Sequence, residues 1–378
     1  MEVLNKKIGI IGSGQLGRMT IQEARKMDIY TNVLTPEIPS PSSDISNDYI
    51  IGDLYDAEKI KELANKSDII TYEIEHINVE VLKELEESGT DVYPSSKVIG
   101  LIQDKSKQKE LLNKNSIPTS DWMMYNDNIE EIVEKYGFPL VQKSCKGGYD
   151  GKGVFIIKNE KDIQNMIKGD SFFEKHIDFQ IEVAVMVARN RAGDIKTYPL
   201  VEMVFDEKTN ICDTVLVPAR VSNEIKKEAE EIALKCIEAL DGVGIFGVEM
   251  FLTKDNQILV NEIAPRPHNS GHYTIEACMT SQYEQYLRAI MDLPLGSTKL
   301  LSPAVMVNLV GEDKHTGNAI VKGAEDALAI EGAYLHIYGK RETKPFRKMG
   351  HATILDEDVK KAYEKAMKVK DLIRIETE

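Results

Sequence analysis

The sequence predicts a mixed α/β chain in three parts. An open parallel α/β sheet spans 1–100, α+β units with a flexible lid at about 118–180 span 101–295, and a small, mostly β segment spans 296–378. Three observations carry this. The first hundred residues alternate short β-branched runs with amphipathic helical stretches, the rhythm of βαβ units. The stretch Val248–His272, VEMFLTKDNQILVNEIAPRPHNSGH, holds two apolar runs around the polar turn Thr253–Gln257, a hairpin pattern. After the break at Pro294–Ser302, short strands resume before a final helix.

In order, KIGIIG (7–12), Tyr30–Thr35 and Asp68–Tyr72 are predicted parallel strands. Arg18–Met27, Ala57–Asn65 and Val79–Ser88 are predicted helices. A helical pattern covers Lys97–Asn115. Helices at Asn128–Tyr136 and Glu160–Ile167 and strands at Phe138–Ser144, Val154–Lys158 and Phe172–Lys175 make a small α+β unit. Strands follow at Asp178–Val187, Thr197–Val204 and Ile211–Pro218. A helix capped by Ser222 or Asn223 runs to about Leu240, with Ile225, Ala229, Ile232, Ala233 and Ile237 on one face. Thr274–Leu293 is largely helical, with Met279, Tyr283 and Tyr286 as core. The last segment has strands at Ala304–Val310, Ala333–Tyr338 and His351–Ile354 and a helix at Val359–Ile373.

The chain has 378 residues, a formal net charge of −15 and 42% hydrophobic residues. That length suits two or three domains. The acidic balance excludes the basic footprint of a nucleic-acid binder, yet a local cationic cluster can still hold a small anion. Cys145, Cys212, Cys236 and Cys278 are scattered without a CxxC pair, which points to reduced thiols in the cytoplasm. No signal peptide and no apolar run near 18 residues is evident, so no membrane partner is expected.

Three motifs carry chemistry. Glu249 and Glu262, brought together by the hairpin, would repel unless a cation sat between them, and Mg²⁺ is held by one or two carboxylates plus phosphates and water. The loop CKGGYDGKG (145–153) has four glycines to free backbone N–H groups for phosphate and to let a lid move, with Lys146 and Lys152 adding charge. Gly12-Ser13-Gly14-Gln15-Leu16-Gly17 lies between a strand and a helix, as a dinucleotide fingerprint requires. Glu73 and Glu75 follow the strand DIITY, at the carboxyl end where open sheets take ligands.

Together these parts resemble the ATP-grasp superfamily. More narrowly, the chain resembles the N5-carboxyaminoimidazole ribonucleotide synthetases of purine biosynthesis. The resemblance rests on GSGQLGRM (12–19), TYEIEHI (71–77), QDKSKQK (103–109), GGYDGKG (147–153), VPAR (217–220), NEIAPRPHNSGHYTIEAC (261–278), LHIYGK (335–340) and RKMGH (347–351). It implies an ATP-dependent ligase that joins bicarbonate to 5-aminoimidazole ribonucleotide through carboxyphosphate, usually as a cytoplasmic homodimer. It implies Mg²⁺ on Glu249 and Glu262 and ATP phosphates on Lys105 and Lys143, with Asn261 beside them. The lid Gly148, Tyr149, Asp150, Gly151, Lys152 and Gly153 would cover the phosphates. Glu174, Lys175, His176 and Ile177 would line the adenine edge through the backbone, and Glu182 would take the ribose. Gln15, Leu16, Glu73, Tyr149, Arg266, Lys340 and Arg347 would meet the second substrate. Arg266, His268, Asp150 and Lys340 would be catalytic. Two departures stand out: relatives often carry Asn and His where this chain has Val204-Phe205-Asp206-Glu207, and often Arg where it has Lys105. The competing readings are another ATP-grasp acyl ligase, such as a formate-dependent glycinamide ribonucleotide transformylase, and an NAD-dependent oxidoreductase built on GSGQLG.

Overall fold

The computed structural model describes residues 2–148, 153–206 and 211–378. The N-terminal sheet is parallel throughout, in the order Asp48–Ile51, Thr31–Thr35, Ile8–Ile11, Ile69–Tyr72, Asp91–Val92. Ile8–Ile11 is buried at every position, which explains its unbroken apolar run. Strand order reverses direction at Ile8–Ile11, so Gly12 and Glu73 meet at the crevice beyond the carboxyl ends. The edge strands Asp48–Ile51 and Asp91–Val92 were not expected; they are short and partly polar. The first helix begins at Gln15, three residues before the predicted start.

Residues 97–115 form two helices, Ser96–Ile102 and Lys105–Lys114, not one. Asp104 leaves the helical conformation, and its side chain accepts the N–H groups of Ser106 and Lys107, starting the second helix afresh. Lys105 and Lys109 lie one turn apart on that helix and so share a face. The segment 160–167 is a 3-10 turn over Glu160–Asn165. The segment 197–204 is broken into Ile195–Thr197 and Val201–Phe205. Thr274–Leu293 is interrupted between Ala277 and Gln282. Met279, expected in the core, is 58% exposed in that interruption, whereas Tyr283 and Tyr286 are buried.

Two larger antiparallel sheets follow, besides a three-stranded antiparallel one in the order Glu342–Thr343, Gly317–Lys322, Arg374–Thr377. The smaller runs Trp122–Met124, Ser171–Lys175, Leu140–Ser144, Val154–Ile157. The larger runs Ile258–Ala264, Gly244–Thr253, Phe179–Arg189, Val201–Phe205, Cys212–Val217, Ala304–Val310, Lys348–Leu355, Ala333–Ile337. It therefore crosses the Pro294–Ser302 break without interruption, through pairing of Cys212–Val217 with Ala304–Val310. On one face, helix Asn223–Leu240, capped by Ser222, buries Ala229, Ile232, Ala233 and Ile237 against Val183, Val185, Phe246 and Val248. On the other, Gln282–Ile290 and the first helix share a core with Ala184, Met186 and Ile245. Leu16, Met19, Tyr283 and Tyr338 join the N-terminal helix to the C-terminal segment. No described helix is long and apolar enough to cross a membrane.

Candidate active site

The site begins with the hairpin Gly244–Thr253/Ile258–Ala264. Glu249 and Glu262 are direct cross-strand partners. Ordinary alternation would send Asn261 and Glu262 to opposite faces. A register shift between Glu249 and Met250 leaves Asn261 as the extra residue of a bulge, which lets both side chains serve one cleft. Lys143 Nζ donates to Asn261 Oδ1 at 2.9 Å, and Lys105 Nζ donates to Glu262 Oε2 at 2.6 Å. Glu182 lies opposite Phe251 and Glu249 opposite Ala184, so Glu182 and Glu249 are diagonal neighbours on one face. Three acids from three adjacent strands thus line one surface.

Their charges are unequal. Lys105 and burial act in opposition on Glu262, and Lys105 wins, holding that carboxyl well below the usual range. Burial pushes Glu249 well above it, with Glu262 and Glu182 adding repulsion. Burial likewise raises Glu182 to about 7 against the pull of Lys143. A strand acid driven toward its neutral form by two neighbouring acids fits a cation position. Among the described residues no group of three or more His, Cys, Asp or Glu forms a metal cage. Two carboxylates are nevertheless the usual protein share for Mg²⁺ on phosphates.

The loop after the hairpin folds back over Glu249. His268 Nε2 lies 3.2 Å from Glu249 Oε1, and His268 Nδ1 lies 2.9 Å from Ser270 Oγ. Gln282 grips the His268 backbone on both sides, accepting its N–H and donating to its carbonyl. Gly247 is required here: a Cβ would come within 2.9 Å of the His268 side chain. Burial, then the cations Arg266 and Lys348, bring His268 down to about 3, so the ring is neutral at physiological pH. Arg266 Nη2 pairs with Glu75 Oε1 at 2.9 Å, tying the loop to the N-terminal sheet.

At that sheet, Gly14 and Gly17 donate their N–H groups to Glu73 Oε1 (2.6 Å) and Oε2 (3.0 Å). These are the donors a dinucleotide pyrophosphate would use, so the fingerprint is filled by a side chain of the chain itself. That removes the basis for the oxidoreductase reading. The Glu73 carboxylate is thereby held against the loop that opens the first helix. Leu16 is likewise a core side chain at 7% exposure and offers a ligand only its backbone, whereas Gln15 is half-buried at the helix start.

Gly148 and Gly153 bracket the lid. Gly153, at φ +79°, accepts the Ser144 N–H, and a Cβ on it would sit 3.1 Å from Gly148 Cα. Tyr149, Asp150, Gly151 and Lys152 lie outside the described residues, as does Glu207 of the departing loop. Glu174 does more than its expected backbone role, because its carboxylate pairs with both Lys109 and Lys143. Lys175, His176 and Ile177 follow it at the strand end. Lys340 Nζ donates to the Lys348 carbonyl at 2.6 Å, next to the Leu16–Tyr338 cluster, so the C-terminal segment does fold back toward the N-terminal sheet. Arg347 Nη1 donates to the Glu342 carbonyl at 2.7 Å. Sequence reasoning missed Lys109 and Lys348. The four-residue spacing from Lys105 was the available signal for the first, and position beside Arg347 in RKMGH for the second.

Domain models of known families match most of the chain. The ribonucleotide synthetase preATP-grasp domain matches residues 5–103, the ATP-grasp domain 110–283, and the phosphoribosylaminoimidazole carboxylase C-terminal domain 304–365. The N5-carboxyaminoimidazole ribonucleotide synthase of Bacillus subtilis is 38% identical, over 93% of this chain and 91% of its own. The chain belongs to the N5-carboxyaminoimidazole ribonucleotide synthetase family. Family members of known structure superpose over almost the full length. The Thermotoga maritima synthetase has a TM-score of 0.92 at 52% identity, covering 99% of this chain and 100% of that one. The Aspergillus clavatus enzyme, solved with ADP and 5-aminoimidazole ribonucleotide, has a TM-score of 0.89 at 36% identity, covering 98% and 99%. Some relatives are longer: the chain matches 67% of the phosphoribosylaminoimidazole carboxylase of Ogataea methanolica, at 41% identity over 94% of this chain, and 64% of that of Candida glabrata.

Proposed function

We propose that this chain carries out the ATP-dependent carboxylation of 5-aminoimidazole ribonucleotide, the ligase activity of its family in purine biosynthesis, with the hairpin as the meeting point of two substrates. One observation carries the reading: the paired acids Glu249 and Glu262 open directly onto the His268–Arg266 loop, which reaches the crevice of the N-terminal sheet through Glu75.

In this reading ATP lies between the two antiparallel sheets. Lys105 and Lys143 hold its phosphates, with Asn261 fixing Lys143, and Gly148 through Gly153 close over them. The backbone of Glu174–Ile177 meets the adenine and Glu182 the ribose. Glu249 and Glu262 would hold Mg²⁺, which would supply neutralisation of charge on the transferring phosphoryl group. Before nucleotide arrives, the Lys105 ammonium serves as counter-ion to Glu262.

Bicarbonate is a poor electrophile. Its oxygen attacks the γ-phosphorus, ADP leaves, and carboxyphosphate results. The Arg266 guanidinium, with donors beyond those given to Glu75 and Pro267, suits a planar carboxylate. A neutral His268 orients this group through its ring N–H and does not transfer a proton. The amine attacks the carboxyl carbon, or CO₂ released from it, and the departing phosphate takes the amine proton. Gln15, the Leu16 backbone, Glu73, Tyr149 and Asp150 surround the aminoimidazole ribonucleotide, while Lys340 and Arg347 take its 5′-phosphate. A cytoplasmic homodimer completes the proposal, on family resemblance.

ADP release tests it. Turnover is expected with bicarbonate and 5-aminoimidazole ribonucleotide, none with formate and glycinamide ribonucleotide, and no binding of NADH by calorimetry. Turnover with the second pair alone would overturn the reading.

A further inference from the structure

Beneath the phosphate-facing Lys143 lies a second lysine that no assigned role uses. Lys109 is on the same helix face as Lys105 but is 3% exposed. Its ammonium donates to Thr119 Oγ1 at 2.5 Å and to Ser120 Oγ at 2.8 Å, and forms an ion pair with Glu174 Oε1 at 2.5 Å. Thr119 passes its own hydroxyl hydrogen to the Val260 carbonyl, one residue before Asn261. The other Glu174 oxygen lies 3.0 Å from Lys143 Nζ. One carboxylate therefore bridges two ammonium groups. Of the three side chains, only Lys143 opens on the cleft, at 10% exposure against 3% and 4%.

The charge arithmetic follows. Lys143 and Glu174 alone would sum to zero, and a buried carboxylate would hold the ammonium back from any phosphate. With Lys109 the group carries one net positive charge, and Lys143 is its only outlet. Burial would raise the Glu174 carboxyl, yet Lys143 and Lys109 together hold it at about 2, so the carboxylate stays charged. We propose that Lys109 is a positioning residue for nucleotide binding: by sharing Glu174 it frees the charge of Lys143 for the ATP phosphates, without touching them. The inference rests on the ATP-binding function proposed above.

Calorimetric titration with Mg·ATP tests it on the full-length chain. Lys109→Met is expected to weaken binding by about tenfold or more, the equivalent of about 1.4 kcal/mol. Lys109→Met/Glu174→Gln removes the uncompensated carboxylate together with its partner. It should recover affinity to within about threefold of the parent, because neutral replacement of a buried pair is well tolerated. In steady-state assays the KM for ATP should follow the same order, while the KM for 5-aminoimidazole ribonucleotide stays unchanged. A purely structural role predicts no recovery. The inference falls if Lys109→Met binds like the parent, if the double variant binds as weakly as the single one, or if the double variant does not fold. Failure of the parent itself to bind Mg·ATP would instead overturn the proposed function, and this inference with it.

Discussion

Glu249 and Glu262 are the same residue on adjacent strands, yet one is held ionised and the other driven toward neutrality. Lys105 makes the difference, reaching Glu262 at 2.6 Å while Glu249 meets a neutral imidazole. An arriving cation and phosphate would reverse both conditions at once, charging Glu249 and releasing Lys105. Glu262→Gln should therefore lower ATP cleavage on the order of 10²-fold or more, the scale seen when one electrostatic group of a catalytic site is lost. ADP release measures this, with circular dichroism verifying the fold; activity within a few-fold of the parent would remove the acids from the metal site. This pair was legible in the sequence because a hairpin makes it local, folding the chain back at the turn Thr253–Gln257. The Lys109–Glu174–Lys143 bridge was not, because its members come from a helix and two paired strands that lie about 30 residues apart in the chain from one to the next. Glu73 was legible as a crevice residue, but its capture by Gly14 and Gly17 depends on which strand lies beside the first.

At the scale of elements, long periodic stretches were read closely: helix Ala57–Asn65 and strand Ala304–Val310 appear with the expected bounds. The misses are short strands such as Asp91–Val92, Glu342–Thr343 and Gly317–Lys322, where two to six residues give no periodicity to detect. Invisible too was the stack formed where the strands Ala333–Ile337 and Lys348–Leu355 meet the loop at His272. The rings of His336 and His351 stack at 4.4 Å, and those of His351 and His272 lie 4.7 Å apart. Tyr338 and Tyr283 hydroxyls each sit 2.9 Å from a ring nitrogen, and Glu276 pairs with His336. Burial pulls His272 and His351 well below the ordinary 6.5. The folded chain then stays unprotonated while the unfolded chain takes up protons as pH drops through 6.5. Stability from these two groups is whole above that pH and is lost below it, by about 2 kcal/mol together between pH 6.5 and 5.5. Urea unfolding at pH 7.0, 6.0 and 5.5 should show the decline, and His351→Gln should reduce it by about 1 kcal/mol between pH 6.5 and 5.5. An unchanged slope in the variant would mean that the stack is not its source.

For the whole molecule, the Pro294–Ser302 segment looks like a linker in sequence, since proline, glycine and serine interrupt two periodic regions. Yet the chain returns to the sheet it left. Ala304–Val310 pairs with Cys212–Val217 over four residues, and Leu216 shares a core with Val305, Val307, Ile354 and Val369. The two acids and the second-substrate loop therefore sit on a sheet whose far edge is completed by the C-terminal strands. Removing residues 297–378 would bare the strand Cys212–Val217, leaving its main-chain groups unpaired and Leu216 without its cover, the condition under which an edge strand recruits other chains. It would also strip Tyr338 from Leu16 and Met19. The shortened chain is thus expected to aggregate in size-exclusion chromatography and to lose Mg·ATP binding as well as second-substrate binding. The full chain should unfold in one calorimetric transition across these regions. A soluble shortened chain that binds Mg·ATP at the parent's affinity would show instead that the C-terminal segment contributes only to the second substrate, and that the continuity of the sheet carries no energetic coupling.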